Sequence, residues 1–345
     1  MRYSIGDYEF KVEEFFPYEL FERITEVRVK NPEVVYLEAE SRKRRESLTE
    51  DGKLTILACD HPARCVTKSG DDPIAMANRY SYLGRILRVI TAPEFDGVMG
   101  TPDIIEELFI VNYLVKEAGG EGFLDGKVIL GCMNRGGLSG TIFEMDDRFT
   151  AFTPQQIAEM RLDGAKMMFR LDPNSPDSGK TIMYCAQAVN ECVDLGIPVF
   201  IEALWVEKTE EGYKTVKRAE ELAKVVGVAS ALGKTSAYTW LKIPYCDNFE
   251  IVARATTLPI LMLGGASRGD PTPVIEEFVK GMRAGSNVRG ALVGRNVHHP
   301  GKDDPLAVAL AINGVVHEGY DLDEAIRCLM ENRGRDMDRL RRYFK

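Results

Sequence analysis

Four charged residues lie in apolar segments of the kind that form buried β-strands. Asp60 ends the segment LTILACD, and the others lie in GAKMMFRL (Lys166), IPVFIEAL (Glu202) and YTWLKIPY (Lys242). A charge left unpaired inside a protein costs several kcal/mol. These side chains must therefore pair with one another or meet a polar ligand.

Strand alternation predicts the direction in which these charges point, because residues two apart share a face. Leu241 suits a face that packs on helices, so Lys242 points the other way. Ile201 suits the same kind of face, so Glu202 also points inward. If the three strands are neighbours, Lys166 joins Glu202 and Lys242 in one cluster.

Two lysines beside one carboxylate leave an excess of positive charge, which suits catalysis better than structure. A lysine with its unperturbed pKa of about 10.4 is almost wholly protonated at neutral pH, and only the neutral amine attacks a carbonyl. Burial and the neighbouring Lys166 lower the pKa of Lys242. Glu202 can carry protons while a carbinolamine becomes an iminium and a C–C bond breaks. The cluster predicts a class I, Schiff-base aldolase with Lys242 as its reactive amine.

Glycines follow the last two apolar segments, where an anion would bind. Gly264, Gly265 and Ser267 follow one segment, and Gly294 and Arg295 end the other. Glycines let backbone N–H groups approach an anion closely, and barrels commonly bind phosphate after strands seven and eight. Arg295 would add a charged donor. The pattern predicts a phosphate site, the alternative being that these glycines only form tight turns.

The elements that position these residues alternate along the chain from about residue 53. The apolar segments cover residues 54–60, 95–100, 127–133, 164–171, 197–204, 238–245, 258–265 and 290–295. Helical patterns between them cover residues 102–117, 154–162, 179–195, 213–232, 248–255 and 272–284. Eight strands with interleaved helices predict an α/β fold, a closed (β/α)₈ TIM barrel. A doubly wound open sheet would need a glycine-rich dinucleotide turn after an early strand, and the first segment ends instead in Cys59-Asp60-His61-Pro62.

The division of the chain follows from the same patterns. Residues 1–50 form an N-terminal helical extension in which YELFERITEVRV has amphipathic spacing, and residues 51–345 form the barrel with C-terminal closing helices. The extension would serve for packing or oligomer contact. The basic run Arg42–Arg45 is interpreted as a solvated helix face.

Composition excludes several function classes. The 345 residues are 45% hydrophobic with a net charge of −9, which indicates a globular protein and argues against nucleic acid as a partner. No apolar run has transmembrane length, and the N-terminus does not resemble a signal peptide. Seven cysteines form no CxxC pair, which favours the cytoplasm, and four histidines lack metal-ligand spacing, so neither metal nor cofactor is expected. The expected partners are a phosphorylated sugar substrate and further copies of the chain.

The segments ACDHP, GAKMMFRLDP, PVFIEAL, YTWLKIPY, PILMLGGAS and ALVGRNV resemble, in order, the DeoC/LacD class I aldolases. The resemblance covers about residues 53–297 and is closest to the branch of tagatose-bisphosphate and sulfofructose-phosphate aldolases. It implies a Schiff base on Lys242, assistance from Lys166 and Glu202, and substrate hydroxyl binding with proton transfer by Asp60. It also implies phosphate binding by Gly264, Gly265, Ser267, Gly294 and Arg295.

The sequence departs from the archaeal-type fructose-bisphosphate aldolases, which are more distant in this resemblance. Those enzymes carry a tyrosine acid/base after the fourth strand, where this chain has Phe169, Arg170 and Leu171. This favours Glu202 as the proton carrier. Arg170 shares the inward face with Lys166, which suggests that it binds a second anion on the substrate, a phosphate or a carboxylate.

The predicted function is metal-independent cleavage or formation of a C–C bond in a phosphorylated keto sugar or deoxy-keto acid. Two alternatives keep the same residues. An isomerase or decarboxylase would use the lysines for proton transfer only, and a metabolite-sensing regulator would use the scaffold without turnover. As purely structural groups, the charges would form a buried salt-bridge network that fixes strand register.

Overall fold

Eight parallel strands close into a barrel in the computed structural model, which describes residues 2–210, 212–265, 267 and 269–344. The strands in chain order are β1 (Leu54–Cys59), β2 (Gly97–Gly100), β3 (Val128–Cys132), β4 (Gly164–Leu171), β5 (Val199–Thr209), β6 (Gly212–Thr215), β7 (Thr239–Pro244), β8 (Ile260–Leu263) and β9 (Val288–Val293). Strand β6 lies outside the barrel. The remaining strands pair in order, and the β4–β5 and β1–β9 pairings complete the circle. The predicted (β/α)₈ barrel is confirmed.

Helices precede the barrel and alternate with its strands. The N-terminal helices are α1 (Val12–Phe15), α2 (Tyr18–Lys30) and α3 (Val34–Ser41). The helices that follow are α4 (Arg79–Ile90), α5 (Pro102–Glu117), α6 (Pro154–Glu159), α7 (Asp177–Asp194), α8 (Ala219–Ser230), α9 (Phe249–Arg254), α10 (Thr272–Met282), α11 (Arg295–His298), α12 (Pro305–Asn313) and α13 (Leu322–Asn332). No helix in the described part of the chain is long and apolar enough to cross a membrane.

Two layers of apolar side chains bury the strands on both faces. The inner cluster fills the barrel and includes Leu130, Phe200 and Leu261, with the Trp240 ring packed against it. The outer cluster includes Ile201 and Leu241, which lie between the strands and the helices. The strand alternation therefore runs as the sequence indicated, and it turns the even-numbered positions of β5 and β7 inward.

A β-hairpin replaces the beginning of the helix predicted for residues 213–232. Strand β5 continues past the barrel to Thr209, β6 pairs with it antiparallel, and helix α8 begins only at Ala219. Val206 and Tyr213 pack with Met145, which supplies the apolar contacts that hold the hairpin. Periodicity missed it because a short two-stranded ribbon alternates over too few residues to be told from a helix start.

The interpretation of Arg42–Arg45 as a solvated helix face is wrong. Helix α3 ends before the run, and the side chain of Arg42 is buried. Its guanidinium donates to the carbonyl of Lys127 and forms an ion pair with Asp163 at 3.1 Å, while Arg45 pairs with Asp96 at 2.8 Å. These ion pairs join the N-terminal segment to the N-terminal ends of β2 and β4, which Asp96 and Asp163 directly precede.

Candidate active site

Neighbouring strands bring three predicted site residues together at the C-terminal end of the barrel. Glu202 on β5 pairs in register with Lys242 on β7, and both point inward. The Lys242 amine lies 2.9 Å from Glu202 Oε1, and the Lys166 amine on β4 lies 2.7 Å from Glu202 Oε2. One carboxylate thus bridges two buried lysines.

Asp60 completes this cluster from the end of β1. Its Oδ2 lies 3.0 Å from the Lys166 amine and 3.8 Å from the nearest guanidinium nitrogen of Arg64. Two lysines therefore face two carboxylates, so the excess positive charge expected from the lysines is balanced by Asp60, and Arg64 adds a cation at the edge of the cluster. The expectation went wrong because it counted Glu202 alone against the lysines.

The two lysines differ in how readily they lose a proton. Burial lowers the pKa of Lys242, Glu202 opposes the effect, and Lys166 lowers the pKa further. Burial also acts on Lys166, but Asp60 and Glu202 outweigh it and raise the pKa of Lys166 above the usual range. Lys242 is therefore the better nucleophile, and Lys166 stays a cation.

The carboxylates are held ionised. Burial alone would raise the pKa of Glu202, but Lys166 and Lys242 outweigh it, so the pKa lies below its ordinary value. The pKa of Asp60 is lowered in the same way, mainly because Lys166 and Arg64 counteract its burial. Both groups can accept a proton from a neighbouring ammonium group.

A cavity of about 370 Å³ opens above Lys242 and Glu202. Four of the predicted phosphate-binding residues line it, namely Gly264, Gly265, Gly294 and Arg295. Ser267 does not line this cavity, and its hydroxyl accepts a hydrogen bond from Gly269 N–H at 3.4 Å.

Gly265 and Gly294 lie in the cavity wall at positions where neighbouring side chains come close to the backbone. Gly265 has a φ of +77°, which favours glycine, and a Cβ there would lie 3.4 Å from the Lys217 amine. A Cβ on Gly294 would meet the imidazole of His61 at 2.4 Å. Larger residues would narrow the cavity at both positions.

Three titratable residues that line the cavity were not predicted from the sequence: His61, Arg64 and Lys217. Arg64 and Arg295 make no side-chain hydrogen bond to any described residue, and no carboxylate of the described ranges pairs with Lys217 or Arg295. The excess positive charge therefore lies on the cavity rim rather than in the buried cluster. His61 and Arg64 directly follow β1, a position that signals function in a barrel, whereas Lys217 was hidden in the misassigned helix.

Arg170 does not reach the cavity. Its guanidinium forms an ion pair with Glu144 at 2.7 Å and donates to the carbonyl oxygens of Gly136 and Glu144. The residue is only 6% exposed. Arg170 therefore holds the loop between β3 and α6, and its contact with a substrate anion stays a prediction that this pairing with Glu144 does not favour. Alternation gives the face of a side chain but not its partner.

A family model described as Cgl0159-like matches residues 52–314, which includes the whole barrel. The chain belongs to the Cgl0159-like family. The crystal structure of Cgl0159 from Corynebacterium glutamicum is 34% identical, covers 88% of this chain and 99% of that protein, and superposes with a TM-score of 0.81.

Two curated relatives of this chain are named aldolases. An uncharacterized aldolase from Saccharolobus solfataricus is 31% identical over 161 residues, 45% of this chain and 55% of the relative. The fructose-bisphosphate aldolase/6-deoxy-5-ketofructose 1-phosphate synthase of Methanocaldococcus jannaschii is 28% identical over 132 residues, 37% of this chain and 41% of the relative. The chain spans about half the length of the curated relatives that it matches.

A solved Schiff-base-forming fructose-1,6-bisphosphate aldolase has the same fold. It covers 82% of this chain and 100% of that protein, with a TM-score of 0.54 and 20% identity. At this identity the likeness concerns the barrel architecture.

Proposed function

We propose that this protein is a class I aldolase that cleaves or forms a C–C bond in a phosphorylated keto sugar or deoxy-keto acid through a Schiff base on Lys242. The observation that carries the proposal is the Glu202 carboxylate, which lies between the amines of Lys242 and Lys166 at the floor of a cationic cavity. The aldolase names of the relatives support it.

Glu202 is placed to make Lys242 reactive. Its Oε1, 2.9 Å from the amine, accepts a proton from the Lys242 ammonium group, and the neutral amine attacks the substrate carbonyl carbon. The resulting carbinolamine takes the proton back from Glu202 on its hydroxyl group, which leaves as water. The products are an iminium on Lys242 and an ionised Glu202, so atoms and charge balance.

Lys166 and Asp60 support the later steps of the reaction. The Lys166 cation prevents Glu202 from retaining the proton, since it favours the ionised carboxylate. The hydroxyl group on the departing carbon then gives its proton to a base while the iminium draws electrons from the C–C bond, which breaks to an enamine and an aldehyde. Asp60 lies beside Lys166 and would hold the substrate hydroxyl groups.

The rim of the cavity suits a phosphate group. Gly264, Gly265 and Gly294 let backbone approach an anion, and Arg295 and Lys217 add charge that no described carboxylate neutralises. Within the aldolases, we propose that the chain is nearest the tagatose-bisphosphate and sulfofructose-phosphate branch of the DeoC/LacD class I aldolases. The order of the motifs around Lys166, Glu202 and Lys242 supports this proposal.

Borohydride trapping tests the proposal. The protein is incubated with a panel of keto-sugar phosphates and phosphorylated keto acids, reduced with borohydride, digested and analysed by peptide mass spectrometry. We expect a reduced adduct on the peptide that contains Lys242. Lys242→Met should give none, while Lys280→Met, an exposed lysine on α10, should trap as the wild type does.

The same experiment separates the alternatives. An isomerase or decarboxylase that uses its lysines only as acid and base forms no iminium and yields no adduct. An adduct on another lysine, or none with any compound of the panel, would overturn the proposal.

A further inference from the structure

His61 lies on the cavity wall directly after Asp60, outside the lysine and carboxylate cluster. It lines the same cavity as Lys242 and Glu202, and the residue is only 8% exposed. Its ring packs edge-on against His298, with the ring centroids 5.1 Å apart. The ring is therefore held in place, with its Nε2 edge toward Gly294, where a Cβ would approach Nε2 to 2.9 Å.

The other ring nitrogen faces a carboxylate with a free oxygen. His61 Nδ1 lies 4.0 Å from Asp60 Oδ1. Both atoms are buried, and neither has a hydrogen-bond partner among the described residues. Two unsatisfied buried polar atoms that face each other cost free energy, and a shift of about 1 Å would join them at hydrogen-bond distance.

We propose that His61, oriented by Asp60, is the acid/base catalyst that handles the substrate hydroxyl proton during C–C cleavage. Asp60 Oδ1 fixes the proton on Nδ1, which leaves the lone pair of Nε2 for the substrate. This role rests on the proposed aldolase function.

The proton transfer balances with the Lys242 chemistry. Once the iminium has formed, His61 Nε2 removes the proton from the hydroxyl group on the carbon that will leave. The C–C bond electrons move to the iminium nitrogen, which gives a neutral enamine and an aldehyde. The imidazolium returns its proton to the enamine carbon, and one water molecule then hydrolyses the restored iminium.

The division of labour follows from what each neighbour already does. Glu202 is shared by two lysines, and Arg170 near the end of β4 is paired with Glu144. His61 is the titratable group on the cavity wall that keeps an unused hydrogen-bonding atom and no charge.

The charges around His61 make its strength depend on the substrate. Burial is the main reason that the pKa of His61 falls to about 3; Asp60 opposes the decrease, and Arg295, Arg64 and Lys242 contribute to it. The groups that face it are Asp60, Arg64, Tyr82, Lys242, Arg295 and His298. A phosphate bound beside Arg295 would neutralise part of this positive charge, so His61 becomes a stronger base when substrate is present.

The test separates Schiff-base formation from C–C cleavage. His61→Gln should keep borohydride trapping on Lys242 within about twofold of wild type, while kcat falls about 10² to 10³-fold, the usual share of a general acid/base. His61→Ala should lose as much, and added imidazole should restore part of kcat. His317→Gln, at the opposite end of the barrel, is the matched control and should retain full turnover.

A measurement on the wild type covers the case in which the variants do not fold. Ethoxyformylation should stop turnover but leave trapping on Lys242 intact, with the modification on the His61 peptide and protection by substrate. Normal trapping together with unchanged turnover in His61→Gln, or inactivation without modification of His61, would overturn this role alone. Absence of any trapped adduct in the wild type overturns the proposed function and this role together.

Discussion

At the N-terminal end of the barrel, Asp163 uses both carboxylate oxygens inside the protein: Oδ1 accepts from Arg44, and Oδ2 accepts from Arg42 and from Ile129 N–H. At the C-terminal end, Asp60 uses only one oxygen, and its Oδ1 stays buried without a partner in the described structure. The two carboxylates are similarly buried and both lie beside cations. They differ in whether a carboxylate oxygen remains without a hydrogen-bond partner in the described structure.

The difference teaches which buried charges hold the fold and which face a ligand. Asp96 repeats the N-terminal pattern, with Oδ1 on Arg45 and Oδ2 on Thr55 N–H and His317. Both oxygens of Asp96 and of Asp163 are paired, which suits groups that stabilise the barrel, whereas Asp60 keeps an unused oxygen next to His61 on the cavity wall. Removing a group at one end should therefore change stability, and at the other end activity.

The largest effect is expected at Lys166. Lys166→Met should reduce kcat/KM about 10³-fold, since Glu202 and Asp60 lose the ammonium group between them. Because Lys166 lowers the pKa of Lys242, the remaining activity should shift to higher pH, as more base is needed to deprotonate Lys242. Lys166→Arg keeps the charge and should keep the pH profile. Equal pH profiles for Lys166→Met and wild type would contradict this role.

Asp163 should show the opposite behaviour. Asp163→Ala leaves the buried Arg42 without its charge partner and Ile129 N–H without an acceptor, so the free energy of unfolding should fall by about 3 to 5 kcal/mol. Urea unfolding measures this, and kcat of the folded fraction should stay unchanged. The exposed pair of Asp338 with Arg342 provides a control, and Asp338→Ala should cost about 0.5 kcal/mol or less. Equal losses for the two variants would remove the distinction between the ends.

A smaller effect is expected for Lys217 on the cavity rim. Lys217→Gln should raise KM about tenfold, which corresponds to about 1.4 kcal/mol of lost binding, with kcat within about twofold. Lys208→Gln, on the hairpin that precedes Lys217, removes an exposed lysine that does not line the cavity and should leave KM unchanged.

Arg170→Met should also leave KM unchanged in the folded fraction, because Arg170 does not line the cavity. A raised KM in this variant would support the predicted contact between Arg170 and the substrate.

The smallest effect is a pH-dependent one at His317, whose ring nitrogens each lie 2.9 Å from a carboxylate oxygen, of Asp51 and of Asp96. Burial would lower the pKa of His317, but hydrogen bonds to Asp96 and Asp51 raise it above its ordinary value. A raised pKa stabilises the fold below the unfolded pKa of about 6.5, and the contribution disappears as pH rises through the folded pKa.

His317→Gln should therefore cost about 1 kcal/mol of unfolding free energy near pH 5.5 and close to nothing near pH 9. Urea unfolding at the two pH values measures the difference. Equal losses at both would show that the charge of His317 is not involved.

The sequence predicted the strands well and the ends of the elements less well. Each of the eight apolar segments overlaps a barrel strand, and helix α5 spans the predicted residues 102–117. Parallel strands are buried on both faces, so their apolar runs are easy to recognise. The hairpin β5–β6 was missed, because its strand β6 is four residues long and only contacts with Met145 and its neighbours distinguish it from a helix start.

The site was predicted to the same extent. Alternation correctly turned Glu202 and Lys242 toward each other, because a strand has only two faces. It did not give the partner of Arg170, because Glu144 comes from a loop of unpredictable path. His61 and Lys217 also lie on segments outside the strands, where no periodicity constrains a side chain.

The sequence alone determined the barrel, because burial on both faces makes its strands continuous apolar runs. It also determined the inward direction of the charges, because successive side chains of a strand point to opposite faces. Only the tertiary structure decided which carboxylate pairs with which lysine, and that Asp60 balances the charge of the lysines. It also decided that Arg42–Arg45 lies at the N-terminal end of the barrel, where Arg42 pairs with Asp163. Those outcomes depend on distances of about 3 to 4 Å between residues far apart in the chain, and hydrogen bonds and ion pairs weaken steeply beyond that range.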